Sequence, residues 1–385
     1  MTVNAPKGFR SAGVAAGIKD SGAKDVTLVV NDGPLDVAAG VFTRNKVKAA
    51  PVLWSQQVLA TGRAKAVVLN SGGANACTGA AGFQDTHATA EHVAATLGLG
   101  AVDVAVCSTG LIGERLPMDK LKAGVDTAAV RLADTHEAGV DAATAVMTTD
   151  SVPKHAKSTQ DGWTIGGFAK GAGMCAPNMA TMLSVLTTDA VLGQSDVDAA
   201  LRAAVDATFN RLDIDGGTST NDTVLLLCSG ASGHTPTAAE FTAALAGVCA
   251  DLVCQLQADA EGATKHVTIT VSGAATDADA RVAAKVIAND NLCKTAFFGS
   301  DPNWGRIAMA VGNAPTEFDP NLLDITINGV EVCRAGGAGE DRGKADLSGR
   351  DITVEVDLHA GPGAATVLTT DLSHGYVEEN SAYSS

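Results

Sequence analysis

Short valine-rich runs that alternate with turn residues dominate the first half of the chain. The runs most typical of strands are bounded by Gly, Asn or Asp, and they span residues 24–30, 36–43, 65–76 and 102–113. Segments 85–98 and 118–133 instead carry apolar residues three and four apart. The first pattern predicts β-strands and the second predicts helices. This half of the chain is therefore expected to build a core of mixed sheets and helices.

The second half of the chain shows the same mixture. Three segments have helical periodicity: 195–212 with Ser195 as N-cap, 237–265 and 280–299. Three others alternate apolar and polar residues, as in strands with one solvated face: 265–273, 322–333 and 351–358. The least ordered-looking stretches are 151–162 and 334–344. The expected fold class is α/β, a layered architecture with sheets packed between helices.

Composition limits the kind of protein this chain can be. Its 385 residues are 46% hydrophobic and 18% charged, with a formal charge of −16. The apolar content excludes wholesale disorder, and the excess of acids argues against a nucleic-acid or anionic-membrane partner. No apolar run is long enough to span a membrane, and the first residues do not resemble a secretory signal, so we expect a soluble, cytoplasmic protein.

The eight cysteines are scattered along the chain without any CxxC pair. Metal-binding cysteines and histidines are usually paired at short spacings, which this sequence lacks. The cysteines are therefore expected to be reduced thiols, and no metal site is predicted.

Three stretches carry candidate chemistry. Segment 169–190 places a lysine and a glycine-rich bend before Thr181, which heads an apolar strand and is a candidate nucleophile. Segment 107–113, CSTGLIG, ends a strand in small residues that let backbone N–H groups approach an oxyanion. Simpler explanations fit both, since threonine favours strand starts and glycine favours turns. The polar tail 375–385 suggests nothing by itself.

Taken together, these stretches resemble one known family. AKGAGMCAPNMATMLSVLTTDA resembles the self-processing segment of the ornithine acetyltransferases, the bifunctional glutamate N-acetyltransferases of arginine biosynthesis. The resemblance spans nearly the whole chain, through the ordered blocks LNSGGANACTG, CSTGLIGERLPMDKL, AVMTTDSVPK, DIDGGTSTNDT, FGSDPNWGRI and ENSAYSS. It implies a layered α-β-β-α sandwich similar to that of N-terminal-nucleophile enzymes, with a smaller additional α/β part.

The resemblance also implies roles for individual residues. The precursor is expected to cut itself between Ala180 and Thr181, leaving an α segment, 1–180, and a β segment, 181–385, that fold together. Thr181 then becomes the nucleophile, and Thr109 and Gly110 form the oxyanion hole. The implied substrate contacts are Thr148, Lys170, Thr181, Glu261, Asn380 and Ser385. Because Thr149 follows Thr148 directly, the register of that contact stays open.

The implied chemistry suits these residue types. A threonine hydroxyl needs an adjacent base, and a free α-amino group has a pKa of about 7.7–8.0, close to the working pH. The resemblance implies ping-pong transfer of an acetyl group from N2-acetyl-L-ornithine to L-glutamate. By charge, Lys170 suits a substrate carboxylate and Glu261 suits an ammonium group.

Two other functions remain open at the level of sequence. A self-processing aminopeptidase or amidase would use the same nucleophile but pass the acyl group to water. A non-enzymatic amino-acid-binding protein would leave Thr181 inert and the chain intact. No bound cofactor is expected, although acetyl-CoA is a possible co-substrate. The resemblance further implies that α and β segments associate, as an α2β2 heterotetramer.

Overall fold

The structure of the chain is a computed structural model that describes residues 2–174 and 182–382. These residues form two compact units. The first contains the described residues up to Asn210 together with Thr218–Leu256. The second contains Arg211–Gly217 and the described residues from Gln257 onward.

The first unit contains a four-stranded and a five-stranded sheet. The strands of the four-stranded sheet, in spatial order, are β1 (Phe9–Val14), β2 (Val26–Asn31), β4 (Ala66–Ser71) and β5 (Val104–Thr109). Those of the five-stranded sheet are β3 (Val37–Phe42), β9 (Thr223–Cys228), β8 (Leu183–Thr188), β7 (Thr164–Lys170) and β6 (Lys154–Thr159). The β4–β5 and β8–β9 pairs are parallel, and the other pairs are antiparallel.

Both sheets of this unit contribute to one hydrophobic core. Every residue of β2, β4, β5, β8 and β9 is buried, so these strands appear in the sequence as continuous apolar runs without alternation. The helices are α1 (Ala50–Leu59), α2 (Gly79–Leu97), α3 (Met118–Val130), α4 (His136–Ala145), α5 (Gln194–Ala207) and, as far as Leu256, α6 (Ala238–Ala258). Helices α3 and α4 pack against β1 and β2, and α5 packs against β3 and β9. The layered α/β prediction is confirmed.

The second unit is built on a six-stranded sheet. In spatial order its strands are β13 (Gly337–Ala338), β12 (Val330–Arg334), β11 (Asp324–Ile327), β14 (Asp351–Asp357), β10 (His266–Ala274) and β15 (Gly363–Thr370). Its helices are α7 (Asp277–Asn289), α8 (Asn291–Phe298), α9 (Trp304–Gly312) and α10 (His374–Ala382). On β14, Ile352, Val354 and Val356 are buried while the intervening residues are exposed. The half-solvated sheet is the one that the alternation predicted, and the unit is the smaller α/β part that the resemblance implied.

Two predicted elements of this unit are each divided in the structure. Segment 322–333 forms two strands, β11 and β12, because Asn328 and Gly329 take φ values of 45° and 78° and turn the chain into a hairpin. Segment 280–299 forms two helices, α7 and α8, because the Asp290 side chain accepts a hydrogen bond from the amide of Cys293 and starts a new helix.

Other boundaries were also wrong. Segment 151–162, expected to be poorly ordered, contains strand β6 at the edge of its sheet. Helix α6 ends at Ala258, seven residues before the predicted end at 265. Helix α5 begins at Gln194 after an extended Gly193, so Ser195 lies inside the helix and is not its N-cap. The predicted 1–180 and 181–385 segments meet outside the described residues, so that division stays a prediction.

Helix α6 is relevant to the prediction that no segment of the chain spans a membrane. Among the described residues it is the one helix whose length and composition would allow it to cross a membrane. Its buried residues recur three and four apart: Phe241, Leu245, Val248, Cys249, Leu252, Val253 and Leu256. That spacing is typical of a helix packed against a protein core.

Candidate active site

Strand β5 ends at a turn that only glycine can form. Thr109 is buried at its last position, and the next residue, Gly110, has a φ of 122°. A Cβ atom on Gly110 would lie 2.6 Å from the carbonyl carbon of Gly72 and from the amide nitrogen of Gly73. The backbone of the Gly72–Gly73 segment is held in place because the Gly73 amide donates to the Thr109 carbonyl at 3.0 Å.

A buried lysine joins two of the predicted site threonines. Lys170 ends strand β7 and is 1% exposed. Its ammonium group donates to the Thr148 hydroxyl at 2.7 Å and lies 3.4 Å from the Thr109 hydroxyl. The structure therefore brings Thr109, Thr148 and Lys170 together. The threonine hydroxyl that meets the lysine is that of Thr148, the first of the Thr148–Thr149 pair.

Asp150 organises this cluster, and sequence reasoning missed it. Its Oδ1 accepts from the Lys154 ammonium at 2.6 Å and from the Gly171 amide at 2.7 Å. Its Oδ2 accepts from the Thr148 amide at 3.0 Å and lies 4.0 Å from the Lys170 ammonium. Burial by itself would raise the pKa of Asp150, but the two ammonium groups and the hydrogen bonds outweigh it and lower the pKa to about 2. The residue directly follows the threonine pair in the AVMTTDSVPK block, which was the available signal.

A second buried carboxyl group, that of Asp222, lies beside Met182, the first residue that the structure describes after 175–181. The Met182 amide donates to Oδ1 of the buried Asp222 at 3.1 Å, and within the described residues Oδ2 has no partner at hydrogen-bond geometry. Burial raises the pKa of this carboxyl group well above its usual value. The neighbouring Asn221 donates to the carbonyls of Ala74 and Ser108, which ties strand β9 to the end of β5. Both residues lie in the DIDGGTSTNDT block, whose individual side chains the sequence analysis did not single out.

In the second unit, the structure brings Glu261 and Asn380 together. The Asn380 amide donates to Oε2 of Glu261 at 2.8 Å. Asn380 belongs to helix α10, and Glu261 lies in the turn after α6. At Gly262, where φ is 58°, a Cβ atom would lie 2.1 Å from the Tyr376 amide, so this turn packs directly on the start of α10.

The remaining predicted site residues, Ala180, Thr181 and Ser385, lie outside the described part of the chain. Within that part, no group of three or more His, Cys, Asp or Glu side chains is arranged to hold a metal ion. Cys107 lies on β5 close to Thr109, but burial raises the pKa of its thiol to about 12. A thiol with so high a pKa is a poor nucleophile at neutral pH.

Within the described residues of the first unit, the cluster around β5 and β7 supplies hydrogen-bond donors and positive charge. Hydroxyl groups, backbone N–H groups beside a glycine turn and a buried ammonium group suit an oxygen atom that acquires negative charge. Such an oxygen forms when a nucleophile attacks a carbonyl carbon. The geometry therefore defines the class of protein as an enzyme of acyl transfer.

Comparisons with known proteins agree with this class. The sequence model of the ArgJ family matches residues 10–385. The chain is 63% identical over 389 residues to the arginine biosynthesis bifunctional protein ArgJ of Mycolicibacterium paratuberculosis, covering 100% of this chain and 96% of that protein. It is 61% identical over 384 residues to the protein of the same name from Thermobifida fusca, and the match covers 100% of both chains. The chain belongs to the ArgJ family, which confirms the resemblance seen in its sequence.

A solved structure was also found. A crystal structure of the ornithine acetyltransferase of Mycobacterium tuberculosis complexed with ornithine is 65% identical to the aligned part of this chain. The match covers 46% of this chain and 94% of that one, with a TM-score of 0.45.

Proposed function

We propose that this chain is an acetyltransferase of arginine biosynthesis that transfers the acetyl group of N2-acetyl-L-ornithine to L-glutamate. The family match over residues 10–385 supports this function. The observation that carries it is the contact of the buried Lys170 with the hydroxyl groups of Thr148 and Thr109. That contact places a cation and a hydroxyl donor beside the glycine turn where an oxyanion would be bound.

The proposed activation step is self-cleavage between Ala180 and Thr181. The hydroxyl of Thr181 attacks the Ala180 carbonyl, the acyl group moves from nitrogen to oxygen, and water hydrolyses the ester. Thr181 is left with a free α-amino group, which can accept a proton where the former amide nitrogen could not. An amine near its pKa at neutral pH is a suitable base for the neighbouring hydroxyl.

In turnover, the α-amino group takes the proton of the Thr181 hydroxyl as that oxygen attacks the acetyl carbon of N-acetylornithine. The carbonyl oxygen becomes negative and is stabilised by the donors at Thr109 and Gly110. The intermediate collapses, the C–N bond breaks, and ornithine leaves with the proton. Glutamate then attacks the acetyl ester by the same steps in reverse, which gives N-acetylglutamate and restores Thr181.

We further propose that Lys170 and Glu261 recognise opposite charges on the two substrates. Both substrates carry an α-carboxylate, which suits Lys170, and ornithine carries a side-chain ammonium, which suits Glu261. Asn380 donates to Oε2 of Glu261, and a carboxylate has further acceptor sites with which it can bind an ammonium group. Ser385 adds a hydroxyl and the terminal carboxylate as further polar contacts.

Purified protein incubated with N-acetylornithine, with and without glutamate, tests this function. We expect ornithine and N-acetylglutamate to form at equal rates, and only when glutamate is present. Release of acetate at the same rate without glutamate would show a hydrolase, the alternative considered from the sequence. Thr181→Ala is expected to abolish both transfer and cleavage.

Substituting the two adjacent threonines separately tests the substrate site. Thr148→Ala removes the hydroxyl that accepts from Lys170, so we expect kcat/KM to fall by about tenfold or more. Thr149→Ala is the matched control and should change kcat/KM by less than about threefold. Equal losses in the two variants would contradict the assignment of Thr148.

Further proposals concern the second substrate, the assembly and the location of the enzyme. Relatives are named bifunctional, and this supports acetyl-CoA as a second acetyl donor to glutamate, without any tightly bound cofactor. Release of free CoA in the presence of glutamate tests it. We also propose an α2β2 heterotetramer in the cytoplasm. Light scattering of the purified enzyme should give the mass of two chains.

A further inference from the structure

Two lysines on neighbouring strands are almost completely buried. Lys154 on β6 and Lys170 on β7 are each 1% exposed, and both belong to the largest fully buried side chains of the chain. Lysine is almost never fully buried unless it is paired. The carboxylate of Asp150 lies within 4.0 Å of both ammonium groups.

The two ammonium groups meet Asp150 in different ways. Asp150 makes a short contact of 2.6 Å with Lys154, whereas Lys170 lies at 4.0 Å and donates to threonine hydroxyls instead. Asp150 thus faces both ammonium groups, one at hydrogen-bond distance and the other at 4.0 Å. Lys170 also interacts electrostatically with two other charged residues. Burial lowers the pKa of Lys19, and repulsion from the Lys170 ammonium adds to this effect. Attraction to the same ammonium opposes the rise that burial causes in the pKa of Asp222.

We propose that Asp150 and Lys154 are positioning residues for the acyl transfer, which hold the Lys170 ammonium against the hydroxyls of Thr109 and Thr148. Lys154 and the Gly171 amide donate to Oδ1 of Asp150, and the Thr148 amide donates to Oδ2. Because both carboxylate oxygens already accept from these donors, Lys170 stays 4.0 Å away and forms no close ion pair with Asp150. The Lys170 ammonium is left to donate to the hydroxyl oxygens. A hydroxyl that accepts from a cation is polarised and becomes a stronger donor, so the hydroxyls of Thr109 and Thr148 are suited to stabilise an oxyanion. This inference rests on the proposed function.

Lys154→Met tests the role of the second lysine. The substitution keeps the length of the side chain, removes its charge and frees Asp150 to pair with Lys170. We expect kcat to fall by at least about fivefold, and KM for N-acetylornithine to rise as well, because Lys170 is also the proposed partner of the substrate carboxylate. The matched control is Lys265→Met, since Lys265 is also buried but donates to the carbonyls of Leu347, Ser348 and Gly349. Its loss should lower stability without this change in kcat.

Asp150→Asn provides a readout that a purely structural role would not change. The substitution removes the charge that faces Lys170 and keeps the size of the side chain, so we expect kcat of the folded variant to fall by at least about fivefold. Asp150→Glu restores the carboxylate and should recover part of this loss. Unchanged kcat in folded Asp150→Asn protein would overturn the proposal. If Asp150→Asn does not fold, the proposal is tested by Lys154→Met alone. A loss of kcat in Lys154→Met that is less than fivefold relative to Lys265→Met would then overturn the proposal.

The wild-type enzyme separates failure of this inference from failure of the proposed function. Wild-type protein that transfers no acetyl group from N-acetylornithine to glutamate would refute the function itself. Active wild-type protein, together with a Lys154→Met variant of normal kcat, would refute only the positioning roles.

Discussion

Among single residues, Gly110 has the most restrictive position in the candidate site. Gly110→Ala would add a Cβ atom 2.6 Å from the Gly72–Gly73 backbone, at a φ that L-residues rarely adopt. We expect unfolding by urea to show a loss of about 3 kcal/mol or more, with loss of activity in the folded fraction. The control is Gly113→Ala, where φ is 91° but nothing lies within 4 Å, and it should lose only about 1–2 kcal/mol. Equal losses would mean that the close approach is relieved.

Asp150 makes stability depend on pH in a defined direction. Its pKa is lowered from 3.8 to about 2 in the folded chain, so the stabilisation is fully present above pH 4. The stabilisation is lost as the pH falls from about 4 to about 2, and it amounts to about 2 kcal/mol. Urea unfolding of the wild type at a series of acidic pH values should show this slope. Asp150→Asn should reduce the slope, whatever its absolute stability, and an unchanged slope would contradict the assignment.

Helix boundaries in the second unit depend on individual caps. The Asp290 side chain accepts from the Cys293 amide at 2.8 Å and separates α7 from α8. Asp290→Ala should therefore cost about 1 kcal/mol of unfolding free energy, measured with urea. Asp290→Asn, which keeps a side-chain oxygen acceptor, should cost less than half as much. The same loss in both variants would show that the cap does not stabilise α8.

These elements also show where sequence patterns were sufficient. The valine-rich strands β2, β4 and β5 were predicted because burial on both faces requires continuous apolar runs. The hairpin between β11 and β12 was missed although Asn-Gly is a known turn signal, because the alternation of apolar residues continues through it. Strand β6 was missed because only alternate residues of this edge strand are shielded, and its sequence KHAKST is polar.

The predicted cleavage divides a single sheet. Strand β7 precedes the cleavage position and β8 follows it, and the two strands pair antiparallel within the first unit. We therefore expect fragments of 180 and 205 residues, whose lengths follow from cleavage after Ala180 in a chain of 385. They should co-elute on native gel filtration and separate only in denaturant, because the ladder of hydrogen bonds and the shared core remain. Mass spectrometry of each fraction measures this.

Thr181→Ala is the control for the fragment experiment, since it removes the attacking hydroxyl. It should give one intact chain with the native elution volume. Fragments that separate without denaturant would contradict the continuity of the sheet. An intact wild-type chain with full activity would contradict the role of a free α-amino group.

The sequence by itself determined the family, the class of fold and the residues of its ordered blocks, because strand and helix patterns and local motifs are written in neighbouring positions. Thr109, Thr148 and Lys170 could be named from those blocks, but not the contacts between them. Only the tertiary structure decided that Asp150 and Lys154 lie beside Lys170, and that Asp222 lies beside Met182. Burial, charge pairing and close approach depend on segments far apart in the chain, and no local pattern encodes the distances between them.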